Sequence, residues 1–224
     1  MKVTFKQFLE DIHVDDTAYG KDQSDDMTEK PELHRAVWKE LPLKHKFPTS
    51  GFTIKYSDQG KARWANSKAF HIALFHDQTQ DIAVHIDCSS REYTVPGGTI
   101  IGLETEQLSS AAKYRGRGLV VQFYECLAAN GQNIFSASLQ TSGGASVWKR
   151  LVASTDQNVF AMIPTYDLED LGYKAPRGVK LDNYDFVLAH GDVNKLIRMV
   201  YESGDAFWFI TSAHGNFMKY AVKV

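Results

Sequence analysis

The stretch Arg115–Val120, with the sequence RGRGLV, separates a strand-like run at residues 99–108 from the most amphipathic helical pattern of the chain. Two glycines with one residue between them allow a tight turn whose backbone N–H groups can approach a ligand. A helix that begins directly after such a turn adds unpaired amide donors and the positive end of its dipole. We therefore expect a strand–turn–helix site for the phosphates of a cofactor, with Arg115 and Arg117 adding charge at its rim.

Two familiar nucleotide-binding motifs do not fit this stretch. No Lys-Ser or Lys-Thr pair follows the glycines, so it is not a Walker sequence. It also lacks the third glycine of a Rossmann fingerprint and the acidic residue that ends the second strand there. The glycines are equally compatible with a plain strand–helix turn that binds nothing. The strand before them and the helix after them are what favour the anion site.

Strand and helix patterns alternate on both sides of the turn. Upstream, residues 70–75 and 82–88 predict a β-hairpin around a polar turn. Downstream, the helix ends at Asn130-Gly131, a strand follows at residues 133–139, and Ser142 opens a second helix. Because strand, helix and strand follow in this order, we expect a parallel pair of strands joined by a crossover.

The two ends of the chain carry further patterns, which are assigned by hydrophobic periodicity and by turn residues. The predicted elements are, in chain order, a helix at 4–12, an acidic loop at 13–30, a helix from Pro31 to about residue 41, a strand at 184–188, a helix capped by Asp192, and a hairpin formed by residues 206–212 and 217–224.

Composition limits the classes of protein that fit. The chain has 224 residues, 43% of them hydrophobic and 23% charged, which is typical of a globular protein. A net charge of −2 does not indicate nucleic acid as a partner, and two cysteines do not form a disulfide framework. We find no pattern of a signal peptide and no apolar run long enough to cross a membrane. The expected location is the cytoplasm.

The glycine stretch resembles the cofactor signature of the GNAT superfamily of N-acetyltransferases: Arg or Gln, two variable residues, Gly, one variable residue, and Gly or Ala. Arg115 and Gly118 match this signature, and the likeness extends over roughly residues 70–152. The hairpin looks like the family's second and third strands, residues 99–108 like its fourth and residues 133–139 like its fifth. The resemblance implies acetyl-CoA, or another acyl-CoA, as cofactor. The cofactor-binding residues that it implies are Arg115, Gly116, Arg117, Gly118, Leu119 and Val120.

The chain departs from the family at two places. Val120 stands where a small residue normally lets pyrophosphate approach the helix end. Its β-branched side chain would narrow the anion site or point toward the core. Family members often carry an Asn, then an Ala, then a Tyr at intervals of three residues in the next helix, and that Tyr can act as general acid. Here Ser142 and Trp148 stand at the Asn and Tyr positions, so a proton donor must come from elsewhere.

Acetyl transfer requires a deprotonated amine, so a carboxylate or histidine near the thioester is expected. Glu104 and Glu106 lie two apart on the strand before the turn, hence on one face, and are our candidates for the catalytic base. They equally fit surface residues at a strand end. His71 and His85 could face each other across the hairpin. Because no Cys or carboxylate is found with them at matching spacing, we expect hydrogen-bonded histidines and no metal site. Tyr114 and Tyr124 are alternative proton donors.

The expected fold class is α+β: a GNAT-like, mostly antiparallel twisted sheet flanked by helices, with a central parallel strand–helix–strand unit. Residues 1–50 would form a helical extension with an acidic loop, and residues 51–224 an acyl-CoA-binding domain. From about residue 155, the chain would complete the sheet or form an added lobe.

The resemblance implies an acyl-CoA-dependent N-acyltransferase whose acceptor is a small-molecule or protein amine, acting as a monomer or homodimer. One alternative is a GNAT-like binding module for a macromolecular partner, without acetyltransferase activity. A second alternative is a related enzyme that modifies nucleic acid.

Overall fold

Ten strands form one sheet in the computed structural model, which describes residues 31–58, 69–95, 98–137, 142–164, 184–188, 194, 197, 200, 206–212 and 222–223. The strands are β1 (Lys39–Glu40), β2 (Phe52–Ser57), β3 (Ala69–His76), β4 (Ile82–Val95), β5 (Gly98–Ser110), β6 (Ile134–Phe135), β7 (Asn158–Pro164), β8 (Tyr184–Leu188), β9 (Phe207–Thr211) and β10 (Val222–Lys223). Their order across the sheet is β1-β2-β3-β4-β5-β6-β9-β7-β8-β10.

Most neighbouring strands are antiparallel, so the predicted α+β class with a mostly antiparallel sheet is confirmed. The hairpin of β3 and β4 is present as predicted, and β4 continues to Val95, where it pairs with Gly98 at the start of β5. The expected parallel pair is also present, because β5 and β6 run parallel. β8 and β10 form a second parallel pair.

The α-helices that the structure describes over their whole length are α1 (Pro31–Arg35), α2 (Leu119–Ala129) and α3 (Ser142–Ser154), and residues 194, 197 and 200 are also helical. The predicted start of α2 after the glycines and its end at Asn130 are both confirmed. Gly131 has a φ of 85°, and its amide donates to the carbonyl of Ala128 at 2.8 Å. This left-handed residue closes the helix because glycine adopts that conformation without a Cβ clash. No described helix is long and apolar enough to cross a membrane.

β5 and β6 pair over only two positions and then separate. Leu103 lies opposite Ile134 and Glu104 opposite Phe135. The backbone amide of Ser136 then bonds to the Trp208 carbonyl of β9 at 2.8 Å, while β5 continues to Ser110. Among the described strands, only β4 pairs with β5 beyond Glu104, and a space opens between β5 and the following helices.

The sheet is covered differently on its two faces. We call the helix face the side of β3–β5 where Val84, Ile86 and Cys88 pack in one hydrophobic cluster with Phe123 and Tyr124 of α2. Since side chains alternate along a strand, their neighbours in β4 point to the opposite face. A second, aromatic cluster comprises Ile100, Phe135, Phe160, Met162, Phe207 and Phe209, with Tyr93 packed against it.

Two predicted elements at the ends of the chain are wrong. The second helix ends at Arg35 and does not reach residue 41, because residues 39–40 pair with β2 as an edge strand. The predicted C-terminal hairpin is also absent from the described residues: β9 lies between β6 and β7, whereas β10 pairs with β8. The predicted helix at 4–12 and acidic loop at 13–30 lie outside the described residues.

Candidate cofactor site

A cavity of about 350 Å³ opens where β5 has separated from β6. Three segments line it: the end of β5 at residues 108–110, the glycine turn with the first turn of α2, and one side of α3. Five of the six predicted cofactor-binding residues line this cavity: Arg115, Gly116, Gly118, Leu119 and Val120. The structure thus places a concave space at the stretch that the sequence singled out.

The glycine turn leaves the start of α2 without a side-chain cap. Gly116 and Gly118 have φ angles of 75° and 73°, a region that glycine occupies readily and other residues rarely. Gly118 is the N-cap, and its carbonyl accepts the first helical bond, from the Gln122 amide at 3.2 Å. Helix geometry leaves the amides of residues 119–121 without an acceptor inside the helix. These donors and the helix dipole favour an anion at this end of the cavity.

The arginines around the cavity have different environments. Arg115 is exposed and lines the cavity, and its Nε donates to the carbonyl of Ser110 at 2.9 Å. Arg117 does not line the cavity: its guanidinium lies 5.7 Å from the ring centroid of Tyr114 and 5.9 Å from that of Phe52. Arg150, which sequence reasoning missed, is exposed on α3 and lines the cavity. The spacing along the helix could have indicated Arg150, since residues 143, 146, 147 and 150 share one helix face.

The two residues that depart from the family pattern lie in different surroundings. Val120 is half-buried, packs against the core on the helix face and lines the cavity. Trp148 is 3% exposed and packs in the same core, with its ring centroid 5.4 Å from that of Tyr124. Trp148 is therefore a packing residue of α3 and does not line the cavity.

The two tyrosines considered as proton donors also differ. Tyr124 is buried, and burial raises the pKa of its phenol. Its Oη lies 3.3 Å from Oγ1 of Thr105, to which it donates. Tyr114 lines the cavity, and its Oη donates to Asp81 Oδ2 at 3.4 Å. Of the two, only Tyr114 lines the cavity.

A β-bulge separates the two candidate bases, Glu104 and Glu106. Asp87 of β4 lies opposite Gln107, but the next residue, Cys88, lies opposite Thr105, so Glu106 is the extra residue of β5. The prediction that the two glutamates share a face assumed a regular strand, and that assumption is wrong. In a regular strand Glu106 would lie opposite Asp87, but Gln107 occupies that position. Bulges re-aim side chains and are frequent next to active sites.

The two carboxylates have different partners. Glu104 Oε2 accepts from Nε of Arg91 at 2.5 Å and from Oη of Tyr93 at 3.3 Å. Its side chain is 19% exposed. Glu106 Oε1 is buried and has no hydrogen-bond partner among the described residues. Its charge is close enough to Cys88 to help raise the pKa of that thiol, although burial of the thiol is the main cause. Glu106 can therefore accept a further hydrogen bond at Oε1, whereas Glu104 is held by Arg91 and Tyr93.

The histidines of the hairpin meet as predicted, on the face opposite the helices. His71 Nδ1 lies 3.2 Å from His85 Nε2. The expectation that no carboxylate accompanies them is wrong, because Asp87 Oδ1 lies 2.5 Å from His71 Nδ1 and 3.4 Å from His85 Nε2. Asp87 lies two residues after His85 and directly opposite His71, so register brings the three side chains together.

Comparison with known proteins does not identify a family. The chain matches no protein-family model, and no curated protein matches it.

Proposed function

We propose that this protein is an N-acyltransferase of the GNAT type that transfers an acyl group from acetyl-CoA, or another acyl-CoA, to an amine. The observation that carries the proposal is the cavity bounded by the uncapped start of α2, the end of β5 at residues 108–110 and one side of α3. A fold-level likeness alone would not support an activity, since function depends on the site.

The residues around the cavity fit a cofactor of this kind. The amides of the first turn of α2 offer donors for a pyrophosphate, and Arg115 and Arg150 offer positive charge at the lining. A Cβ built on Gly116 meets no heavy atom within 4 Å, so the turn leaves open space beside its backbone. The apolar lining by Leu108, Val120 and Val147 suits the less polar arm of coenzyme A.

The strand arrangement supports the same proposal. In the family, the fourth and fifth strands separate to admit the reacting groups. The corresponding strands here are β5 and β6, which pair at only two positions before β5 continues beside β4. The proposed acceptor binds in this gap, opposite the cofactor. The bulge at Glu106 lies on the part of β5 that has no partner on the β6 side.

Bound acyl-CoA supplies a thioester whose acyl carbon is open to attack by an amine. The chain's own residues then hold the reactants and manage protons. Glu106, two residues before the strand enters the cavity lining at Leu108, would accept the proton that the attacking amine must lose, since its Oε1 has no competing partner among the described residues. Tyr114, at the cavity wall, is the phenol that would protonate the leaving thiolate, which requires its hydroxyl to give up the bond to Asp81. Holding donor and acceptor in one cavity lowers the entropic part of the barrier.

One observation favours a second candidate function, a binding module without transferase activity. Trp148 stands where family members often carry the proton-donating Tyr, and it is buried in the core. If no other donor replaces that Tyr, the cavity binds acyl-CoA but does not catalyse transfer. The two candidates therefore agree on binding and differ in turnover.

A paired binding and turnover experiment tests the proposal. Thermal unfolding is recorded with and without acetyl-CoA, since a ligand of the native state raises the melting temperature by mass action. Release of free coenzyme A is then measured with a panel of small amines and basic peptides. Binding with turnover supports the transferase, binding without turnover supports the module, and no binding at millimolar acetyl-CoA contradicts both.

Replacing Val120 by Gly examines the departure at the anion site. If the valine narrows a working site, V120G binds acetyl-CoA more tightly than the wild type does. An unchanged or weaker affinity shows that the side chain serves packing on the helix face, where it already contacts the core.

A further inference from the structure

We propose that His71, His85 and Asp87 form a binding site for one divalent transition-metal ion, with zinc as the best match. The three residues lie on the face of β3 and β4 opposite α2, outside the acyl-CoA cavity. Each offers one ligand atom, and all three atoms lie within 4.8 Å of one another. This proposal does not depend on the proposed transferase activity.

The distances are close to those of a coordination shell. The His71 Nδ1–His85 Nε2 distance is 3.2 Å, and the His85 Nε2–Asp87 Oδ1 distance is 3.4 Å. Zinc bonds of about 2.0–2.1 Å in a tetrahedron separate neighbouring ligand atoms by about 3.3 Å. Only the 2.5 Å contact between His71 Nδ1 and Asp87 Oδ1 must lengthen. The Asp87 side chain is 30% exposed and can rotate away from the ring to do so.

The ligand set selects the class of ion. Two imidazoles favour zinc and its first-row neighbours over magnesium and calcium, which prefer an all-oxygen shell. The histidine side chains are 11% and 1% exposed, so the ligands are held by packing within the sheet. Three protein ligands leave the fourth tetrahedral position for water, as in zinc sites that are not purely structural. The exposed part of Asp87 gives that position access to solvent.

The surroundings hold the ligands in place. His71 lies opposite Asp87 in the ladder between β3 and β4, so the register of the two strands holds their side chains next to each other. The ring of Trp38 lies over this face, with its centroid 6.3 Å from that of His71. The Trp38 Nε1 in turn donates to the carbonyl of Leu33 at 3.0 Å. An ion here would link two strands of the sheet beneath the segment that follows α1.

Zinc titration of the full chain tests the site directly. After treatment with EDTA and desalting, the protein is titrated with ZnCl2 by calorimetry. We expect one ion per chain with a dissociation constant tighter than about 10 µM. Asp87→Asn keeps the shape of the side chain but replaces a charged ligand by an amide, and should weaken zinc binding at least about tenfold.

His76→Gln is the matched control, because His76 lies on the same strand but contacts Thr79 instead of the cluster. Its zinc affinity should equal that of the wild type. The proposal is overturned if the wild type binds no zinc, if Asp87→Asn binds as tightly as the wild type, or if His76→Gln abolishes binding. Circular dichroism in EDTA checks that the variants fold.

Cobalt substitution of the wild type tests the three-residue metal site even if Asp87→Asn does not fold. Four-coordinate Co2+ gives strong visible d–d absorption, and this spectrum is the expected result. A weak spectrum typical of six-coordinate Co2+, displaced by zinc without change in stoichiometry, would contradict the proposed three-residue site.

Discussion

The two faces of β4 and β5 place polar groups in contrasting ways. On the helix face, the available donors near the cavity are backbone amides at the start of α2, where Gly118 has no side chain to cap them. On the opposite face, charged side chains meet one another: Arg91 bonds to Glu104, and Asp87 bonds to His71. One face thus leaves hydrogen-bonding capacity for a ligand, and the other gathers side-chain ligand atoms within the fold.

This contrast shows which kinds of site a sequence reveals. The anion site is local, because a few consecutive residues set the turn and the helix start. The histidine–aspartate cluster is non-local, because it depends on which residues of two strands lie opposite each other. If the two faces differ in function as they differ in chemistry, substitutions on each face should have different effects.

The largest expected effect separates Glu106 from Glu104. Glu106→Gln should lower kcat about 100- to 10,000-fold, because it removes the proposed base. Glu104→Gln should change kcat only a few-fold, because Glu104 is occupied by Arg91 and Tyr93 on the opposite face. Steady-state kinetics on the best amine acceptor would check both variants. A larger loss in Glu104→Gln would contradict the assignment of roles.

Gly102→Ala tests the point at which β5 and β6 meet before they separate. A Cβ at this position would lie 2.5 Å from the Asn133 carbonyl oxygen and 2.7 Å from a ring carbon of Phe135. We expect a loss of about 1–3 kcal/mol in the free energy of unfolding, measured with urea. Ile101→Ala is the control: this side chain is 61% exposed, and its loss should cost less than about 0.5 kcal/mol.

Gly118→Ala and Gly51→Ala form a matched pair with the same backbone cost. Both glycines have a positive φ, 73° and 82°, and a Cβ would have room at each. Each substitution should therefore destabilise by roughly 1–2 kcal/mol through strain alone. Only Gly118 lines the cavity, so only Gly118→Ala should also weaken acetyl-CoA binding. Equal cofactor affinity in the two variants would argue against the anion site.

The smallest expected effect is a pH dependence of the stability that comes from the pair Asp81–Lys113. This pair joins the β3–β4 turn to the segment just before the glycine turn. The hydrogen bond from Lys113 lowers the pKa of Asp81 below its ordinary value of 3.8. This contribution to stability is therefore full above that value and is lost as the pH falls through the lower, folded-state pKa. The same bond raises the pKa of Lys113, so its contribution is lost only in strong alkali.

A double-mutant cycle of Asp81→Asn and Lys113→Gln isolates the pair. The urea midpoint of the wild type should fall more steeply below pH 4 than that of either variant. Parallel curves for the wild type, the two single variants and the double variant would show that the pair contributes nothing measurable, as is common for exposed ion pairs.

Much of the central fold could be predicted because its signals are local. The helix after Gly118, its end at Gly131 and the β3–β4 hairpin each rest on consecutive residues of clear type. The helix predicted to reach residue 41 failed because pairing of residues 39–40 with β2 outweighs a helical pattern. The predicted C-terminal hairpin failed for a similar reason: neighbours in sequence joined different strands of the sheet.

The candidate site could likewise be predicted only where its features depend on consecutive residues. The glycine turn follows from the sequence, but the cavity beside it depends on the separation of β5 from β6. A β-bulge removes Glu106 from the regular alternation of side chains along β5, and no pattern in the sequence predicts such a bulge. Asp87 was overlooked as a partner of His71 because only the pairing of β3 with β4 places it opposite.

Calorimetric titration of the full chain with acetyl-CoA tests the central claim most directly. We expect saturable binding of one molecule per chain, weakened in Gly118→Ala and unchanged in Gly51→Ala. Absence of heat at ligand concentrations well above micromolar, from protein shown to be folded, would contradict the claim that the cavity beside Gly118 binds acyl-CoA.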